Sequence, residues 1–379
     1  MKSVLLLITP SSPGRFTGIA AYAREHGWHL TVADRLTHTF RGWSGDGALV
    51  TLRDDDSIVD YARSLRRRHI PVVDLSASRP EIALPRVAGD NPAIGRLAAA
   101  HFHSRNFHNL AWFSTSWGHQ HAERFQSFSE SNSSPTALWC WQKVSESARS
   151  DDWHALSRWL STQLKAAPKP LGIFCYDDAD ASRVESVAME IGLNIPDEVA
   201  ILGTGDDIPL CEAQAIPISS IRHDLEQNGR EGAILLDHLM NFGYDARKLP
   251  APRYLPPRGV AERQSTDAFA ASSPIVKAAI EIYRTELKNP PSTEMLAERL
   301  HISRATLDRA FAAEGTISPA QMLIKLRLHA AKRLLKTTTL PLNEISARCG
   351  YCNPAYFTNT FIKFEKVPPR VWQGRRIKN

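Results

Sequence analysis

Cysteine is scarce: Cys140, Cys175, Cys211, Cys349 and Cys352 are the five in 379 residues. An odd number scattered over so long a chain does not make a disulfide framework, so reduced thiols are expected. Long apolar runs are missing as well. The longest early one, residues 4–8, stops at Thr9-Pro10-Ser11-Ser12-Pro13 and is too short for a signal core or a membrane span. A cytoplasmic location without membrane partners is therefore expected. The chain also has no glycine-rich phosphate loop and no Gly-x-Ser-x-Gly elbow. Cys349 and Cys352 have C-x-x-C spacing but lack a second Cys/His pair, and His119-x-His121 is equally isolated, so no metal and no other cofactor is expected. An enzyme is the main competing class, because cleft-forming α/β lobes also host catalysis, but these missing motifs weigh against it.

What is present is ordinary in bulk and uneven in detail. With 43% hydrophobic and 23% charged residues the composition is globular, and the length calls for two or three domains. From Ile275 onward there are 18 Lys and Arg against 8 Asp and Glu, a net charge of +10, while the preceding part carries −4. A basic module beside a mildly acidic one points to a polyanion partner, since Lys and Arg neutralise phosphates and release counterions. A solvated basic surface has the same charge, so other features must decide.

In the first 250 residues short apolar runs alternate with amphipathic stretches, the pattern of parallel sheets covered by helices. Strands are predicted at 4–8, 29–33, 48–52, 71–75 and 109–114, with helices at 18–26 and 58–67, as one lobe. After the polar break at 131–135 a second lobe is predicted from strands 137–141, 171–176 and 199–202 and helices 152–165, 179–191 and 225–240. Two such lobes enclose a cleft at the carboxyl ends of their strands. Residues 1–264 thus form the two-lobe α/β domain. The small polar residues of 265–273 read as a linker, and 274–379 form an all-α domain.

In the all-α domain each helix start is signalled. Ser273-Pro274, Ser292, Ser303, Ser318-Pro319 and Asn353-Pro354 are cap signals for helices reaching about 287, 300, 313, 336 and 365, and another helix spans 341–348. Helix, short turn and helix occur twice, at 293–300 with 304–313 and at 341–348 with 353–365. The second helix of such a pair can enter a major groove, and two pairs on one rigid helix can face successive grooves. A plain helical bundle is the alternative layout.

The residues Leu296-Ala297, Ser303, Leu307, Arg309, Phe311, Gly315, Ser318-Pro319, Arg327, Ala331, Leu334-Leu335, Ile345, Cys349-Gly350-Tyr351, Tyr356-Phe357, Phe361 and Pro369 form a pattern over the last hundred or so positions. In this pattern the chain resembles the AraC-type transcription regulators, departing from them at Met322, Lys366 and Trp372-Gln373. The resemblance implies double-stranded DNA as partner. Base-reading side chains would be Arg304, Ala305, Asp308 and Arg309 in the first recognition helix and Asn353, Pro354, Ala355, Thr358 and Asn359 in the second. Arg309 can pair with guanine or only bridge to a phosphate; Asp308 can accept from cytosine or orient an arginine; Asn353 can read a base or cap its helix.

Further matches are Gly42-Trp43-Ser44-Gly45-Asp46-Gly47, Asp90-Asn91, Arg124, Cys175-Tyr176-Asp177-Asp178-Ala179, 195–203, 217–221 and 256–267. On these the first two lobes resemble the periplasmic-binding-protein type of sensor found in LacI-type regulators, and more particularly xylose-operon regulators that join such a sensor to an AraC-type end. The resemblance implies a small sugar effector, with xylose the leading aldose, and a homodimer. An activator acting with RNA polymerase is expected ahead of a repressor. Carried-over ligand residues are Ser11, Ser12, Arg15, Asp90, Arg124, Asp177, Asp206 and Asp207, with Trp117 or Phe16 as an aromatic cover. Asp177 stands where the family usually has asparagine, and Gly205 where an acid often sits. Asp90 and Asp178 can equally cap helices, and a sensor that no longer binds sugar and serves only dimerisation remains the other reading.

Overall fold

The computed structural model describes all residues except 9–12, 34–39, 41, 53–55, 145–151, 244, 246, 247, 272, 315, 316 and 375–379. It divides into two units, Met1–Ala268 and Phe269–Asn379.

The first unit opens with β1 (Ser3–Leu7), α1 (Pro13–Glu25), β2 (His29–Val32), β3 (Gly47–Val50), α2 (Asp56–Arg67), β4 (Val72–Asp74) and β5 (Val87–Gly89). Strands β1 to β4 form a parallel sheet in the order β2-β1-β3-β4. Along β1, Val4 and Leu6 pack to one side with α1, whereas Leu5 and Leu7 pack to the other with Val59, Ala62 and Leu65 of α2. A strand buried on both faces has to be apolar throughout, which is why residues 4–8 read as one unbroken run.

The chain then crosses over. It forms α3 (Asn91–Ser104), β6 (Asn109–Ser114), α4 (His119–Glu130), β7 (Ala137–Cys140), α5 (Trp141–Val144), α6 (Trp153–Ala166), β8 (Leu171–Cys175), α7 (Asp178–Glu190), β9 (Val199–Gly205), α8 (Ile208–Ala213) and β10 (Ser219–Arg222). It crosses back into α9 (Leu225–Phe242) and β11 (Arg253–Leu255), where β11 pairs with β5. A third crossing leads to β12 (Val260–Ala261), the antiparallel edge of a second sheet ordered β12-β10-β9-β8-β6-β7.

Two lobe assignments differ from the sequence reading. Strand β6 pairs with β7 and β8, so residues 109–114 belong to the second lobe and the break at 131–135 is only a loop inside it. Helix α9 packs in the first lobe, where Ala233, Leu236 and Leu239 join the core of β1 and α1. Its approach to α1 is close: a Cβ on Gly18 would lie 2.0 Å from the Glu226 carbonyl oxygen and one on Gly229 2.1 Å from that of Arg15. Glycine at both positions lets the two helices touch. The segment read as a linker also begins inside this unit, since Ser265 and Thr266 are fully buried. Ser265 Oγ donates to the Ile201 carbonyl (2.6 Å) and Thr266 Oγ1 to Ser219 Oγ (2.7 Å), so hydroxyls that suggest a solvated spacer instead satisfy buried polar groups, backbone and side chain.

The second unit contains α10 (Pro274–Thr285), α11 (Thr293–Arg299), α12 (Arg304–Ala313), α13 (Pro319–Thr337), α14 (Leu342–Arg348), α15 (Pro354–Glu365) and α16 (Pro369–Gly374). The caps act as the sequence indicates: Ser292, Ser303, Ser318 and Asn353 each accept a first-turn N–H, and Ser318 with Gln321 completes a capping box. Ser273 occupies its cap position without a side-chain cap bond. Helix α13 is a shared spine. Met322 and Leu326 join the core of α10 to α12, and one turn on Leu328, Ala331 and Leu335 join that of α14 and α15.

Candidate functional site

A cleft of about 270 Å³ lies where the carboxyl ends of the two sheets meet in the first unit. One wall is the loop 76–78 after β4. Buried Asp74 fixes it by accepting from the N–H groups of Leu52 and Ser76, from Ser76 Oγ, and from Arg86 Nε at 2.8 Å. The opposite wall is built on Tyr176, whose ring stacks on His121 (3.6 Å between centroids) and carries the Arg124 guanidinium 4.7 Å above it.

Arg124 is buried, donates from Nε to Asn91 Oδ1 (2.8 Å) and from a terminal nitrogen to the Tyr176 carbonyl (3.0 Å). Burial pushes its guanidinium below the usual arginine range, while Tyr176, Asp177 and Glu123 pull the other way. Asn91 in turn donates to Glu123 (3.0 Å), so Glu123 reaches the arginine only through an amide. Among the described residues no carboxylate is ion-paired with Arg124. His223 also lines the cleft, and burial together with Arg124 and Arg15 holds it neutral. A neutral imidazole offers one donor and one acceptor.

The residues carried over from the resemblance separate in the structure. Arg15, Arg124 and Asp177 line the cleft. Asp177 also caps α7 through the Asp180 N–H (2.7 Å), and Arg15 Nε donates to Asn228 Oδ1 (2.6 Å). Asp90 caps α3 through the Ala93 N–H (2.8 Å), and its neighbours Gly89 and Asn91 are the ones that line the wall. Asp206 pairs with Arg263 (2.8 Å), Asp207 caps α8, and Trp117 lies under Lys143 (3.6 Å to the ring centroid); none of the three is a cleft-lining residue. Phe16 is 40% exposed, and Ser11 and Ser12 lie outside the described residues. Gly205 does line the cleft, at φ +129°, a backbone conformation that suits glycine and not the acid the family often has there. Asp178 lies beneath it, accepting from Ser220 Oγ and the Asp207 N–H, and burial pushes its carboxyl up to about 6. Asn91, Gln120, Tyr176 and His223 were missed as wall residues. Asn91 and Tyr176 stand in matched stretches of the sequence without having been assigned to the ligand, whereas Gln120 had no sequence signal.

The wall is sensitive to acid through His121. Burial, then Arg124, depresses its imidazole from the ordinary 6.5 to about 3. The unfolded chain therefore takes up this proton first, and stability present above pH 6.5 is lost as pH falls toward 3. His121→Phe, which keeps a ring against Tyr176, should remove about 2 kcal/mol of the stability difference between pH 7 and pH 5. Chemical denaturation of both proteins at the two pH values measures this. Equal slopes would mean that His121 does not carry it.

In the second unit α11 and α12, and α14 and α15, are two helix-turn-helix pairs. At the first turn His301 takes φ +54°, and at the second Gly350 takes φ +76°. Leu307 and Phe311 of α12 and Phe357, Thr360 and Phe361 of α15 face inward. Arg304, Ala305, Asp308, Arg309, Asn353, Pro354, Ala355 and Asn359 are exposed, and Thr358 is half-buried. Arg304 pairs with Glu294 and reaches Asp308 at 3.5 Å; Arg309 lies along its own helix on the Ala305 carbonyl and Thr306 Oγ1. Asn353 accepts the Tyr356 N–H at 2.6 Å, the capping role. Exposed Tyr356 belongs to the sequence pattern but was not among the side chains expected to read bases. Cys349 is buried and Cys352 exposed, and among the described residues no three His, Cys, Asp or Glu side chains form a metal-binding cluster. No described helix is long and apolar enough to cross a membrane.

Comparison with known proteins matches residues 99–266 to a periplasmic binding protein-like domain and 296–375 to a helix-turn-helix domain. The chain is 27% identical to the xylose operon regulatory protein of Escherichia coli strain K12, over 94% of this chain and 92% of that protein. It is 25% identical to the protein of the same name in Haemophilus influenzae, over 93% and 92%. Among solved structures, that of the xylose-binding transcription activator xylR superposes with a TM-score of 0.61 at 22% identity, covering 100% of this chain and 99% of the other. A LacI family regulator from Enterococcus faecalis with bound ribose gives 0.54 at 21%, covering 71% and 99%. These relatives are regulators, not enzymes, and with the two-lobe cleft and paired helix-turn-helix motifs they identify the chain as a transcription regulator that joins a periplasmic-binding-protein-like sensor to an AraC-type DNA-binding domain.

Proposed function

We propose that the chain is a sugar-responsive regulator, an activator of pentose-catabolic genes whose effector is D-xylose or a related aldose. The observation that carries this is buried Arg124, which faces a polar cleft over an aromatic ring and lacks a carboxylate partner among the described residues. A sugar suits such a wall: its hydroxyls accept from the guanidinium and pair with Asp177, Asn91, Arg15 and neutral His223. The names of the relatives favour xylose. Sugar bound to both lobes favours the closed form by its differential affinity, and closure changes how two sensors pair in a homodimer. That repositions the DNA-binding units and their contact with RNA polymerase. Such a regulator works where its DNA is, in the cytoplasm. A melting-temperature screen of pentoses and hexoses on the full chain tests the sugar; a rise with xylose supports the assignment, and a rise only with another sugar corrects the ligand.

On DNA, α12 and α15 would enter successive major grooves, roughly 34 Å apart. Arg304, Ala305, Asp308 and Arg309 would face the first, and Asn353, Pro354, Ala355, Thr358 and Asn359 the second. The fragment 273–379, with its own cores and net charge of +10, is expected to fold alone and to bind DNA with an affinity that falls steeply with salt. A folded fragment that ignores DNA at low salt would rule this out.

Two substitutions separate reading from positioning. Arg309→Ala should cost about 1–3 kcal/mol of discrimination between specific and random DNA, whereas Lys363→Ala, at an exposed position in the last turn of α15, should weaken both alike. Filter binding at several salt concentrations measures the two losses. Equal losses for Arg309→Ala would make it a phosphate contact.

A further inference from the structure

A two-lobe sensor closes only as far as contacts between the lobes hold it. Gln120, on α4 of the second lobe, makes several of them. Its amide oxygen accepts from the backbone N–H groups of Ala77 (2.9 Å) and Ser78 (3.0 Å) and from Ser78 Oγ (3.0 Å), all in the first lobe, and its nitrogen donates to Tyr176 Oη (3.0 Å). Both ends of this bridge are fixed. The 76–78 loop is held by Asp74 through Ser76, and the Tyr176 ring lies between His121 and Arg124. Gln120 is therefore set between two prearranged groups, and Ala77, Ser78, Gln120 and Tyr176 all line the cleft.

We propose that Gln120 is a latch across the cleft, which sets the population of closed sensor and thereby the effector concentration at which the protein responds. The amide chemistry fits this role. One oxygen serves the donors of the first lobe while the nitrogen serves an acceptor of the second, so the side chain reads the position of both lobes at once. An effector that needs the closed form binds with its intrinsic Kd divided by the closed fraction, so loosening the latch weakens apparent binding. The second half of this proposal rests on the cleft being the effector site; the first does not.

Hydrogen exchange on the full chain without ligand tests the latch directly. In Gln120→Ala the amides of Ala77 and Ser78 should exchange about tenfold faster, while those along α4 keep their protection. In Gln120→Glu, whose carboxylate still accepts both N–H groups, the protection of the loop should remain. Unchanged exchange at Ala77 and Ser78 in Gln120→Ala overturns the latch. Calorimetry with D-xylose tests its consequence: Gln120→Ala should weaken binding by about tenfold, and an unchanged affinity despite faster loop exchange overturns the role in setting the response. No heat with D-xylose from the unaltered protein bears on the ligand assignment alone, and the exchange result still decides the latch.

Discussion

Gly350→Ala is expected to lower the melting temperature of the second unit by more than about 10 °C and to abolish site-specific DNA binding. Two effects add at this position. Gly350 ends α14 with φ +76°, where a residue with a Cβ is strained by about 1–2 kcal/mol. A Cβ there would also lie 2.1 Å from the Leu287 carbonyl oxygen and 2.8 Å from a guanidinium nitrogen of Arg327. The carbonyl is backbone and cannot swing aside, so the turn itself must open. The turn holds the start of α15 through the Gly350 N–H to Ala347 and the Tyr351 N–H to Ser346, both near 3.0 Å. Opening it withdraws Phe357 and Phe361 from the core they share with Ala331 and Leu335. A combined cost of about 3 kcal/mol or more follows, a large part of the stability of a unit this size. The control is Gly27→Ala, with φ +65° and nothing within 4 Å of the added atom, which should show the strain alone. Thermal melts of both variants, with binding measured on the same samples, decide between clash and strain. Equal losses at the two glycines would remove the clash from the account.

The helical unit was legible because its signals are local. Caps at Ser292, Ser303, Ser318 and Asn353 act within three residues, and the helices begin where those residues stand. The buried strands were legible too, since an apolar run is a sufficient sign of a strand covered on both faces. Lobe membership was not. Whether residues 109–114 pair backward or forward depends on strands beyond the next helix, such as Asn109 with Leu171, and which lobe takes α9 depends on contacts far more distant in the chain, such as Gly18 on Glu226. The cleft was legible in part for a related reason. Acids at strand ends, Asp90, Asp177 and Asp207, serve as helix caps whether or not a ligand is near, and side-chain type alone does not separate the two uses. Gln120 gave no warning because an isolated glutamine on an amphipathic helix has no spacing to mark it.

Arg124→Ala should abolish stabilisation by sugar while leaving the full chain able to bind DNA. The guanidinium organises one wall of the cleft through Asn91 Oδ1 and the Tyr176 carbonyl. Its removal strips those two acceptors of their donor and takes away the charge-assisted donors a sugar hydroxyl would meet. Leaving buried polar groups unpaired costs about 1–3 kcal/mol each, enough to weaken binding by one to four powers of ten when it falls on both wall and ligand. At a sugar concentration that gives the unaltered protein about 2.7 kcal/mol, a hundredfold excess over Kd, a tenfold loss would leave the variant about 1.4 kcal/mol, and a loss of about a thousandfold or more leaves no resolvable shift in melting temperature. Arg124→Lys should recover little, because one ammonium cannot reproduce the fork that reaches Asn91 and Tyr176 together. Since Arg124 lies in the first unit and the helix-turn-helix pairs in the second, retention on DNA at low salt should survive, and only its response to sugar should be lost. An Arg124→Ala protein that still shifts with sugar would place the effector elsewhere. If the unaltered protein, folded and free of bound ligand, stays silent across the whole panel, the cleft does not sense sugar, and the first unit is left with dimerisation as its task.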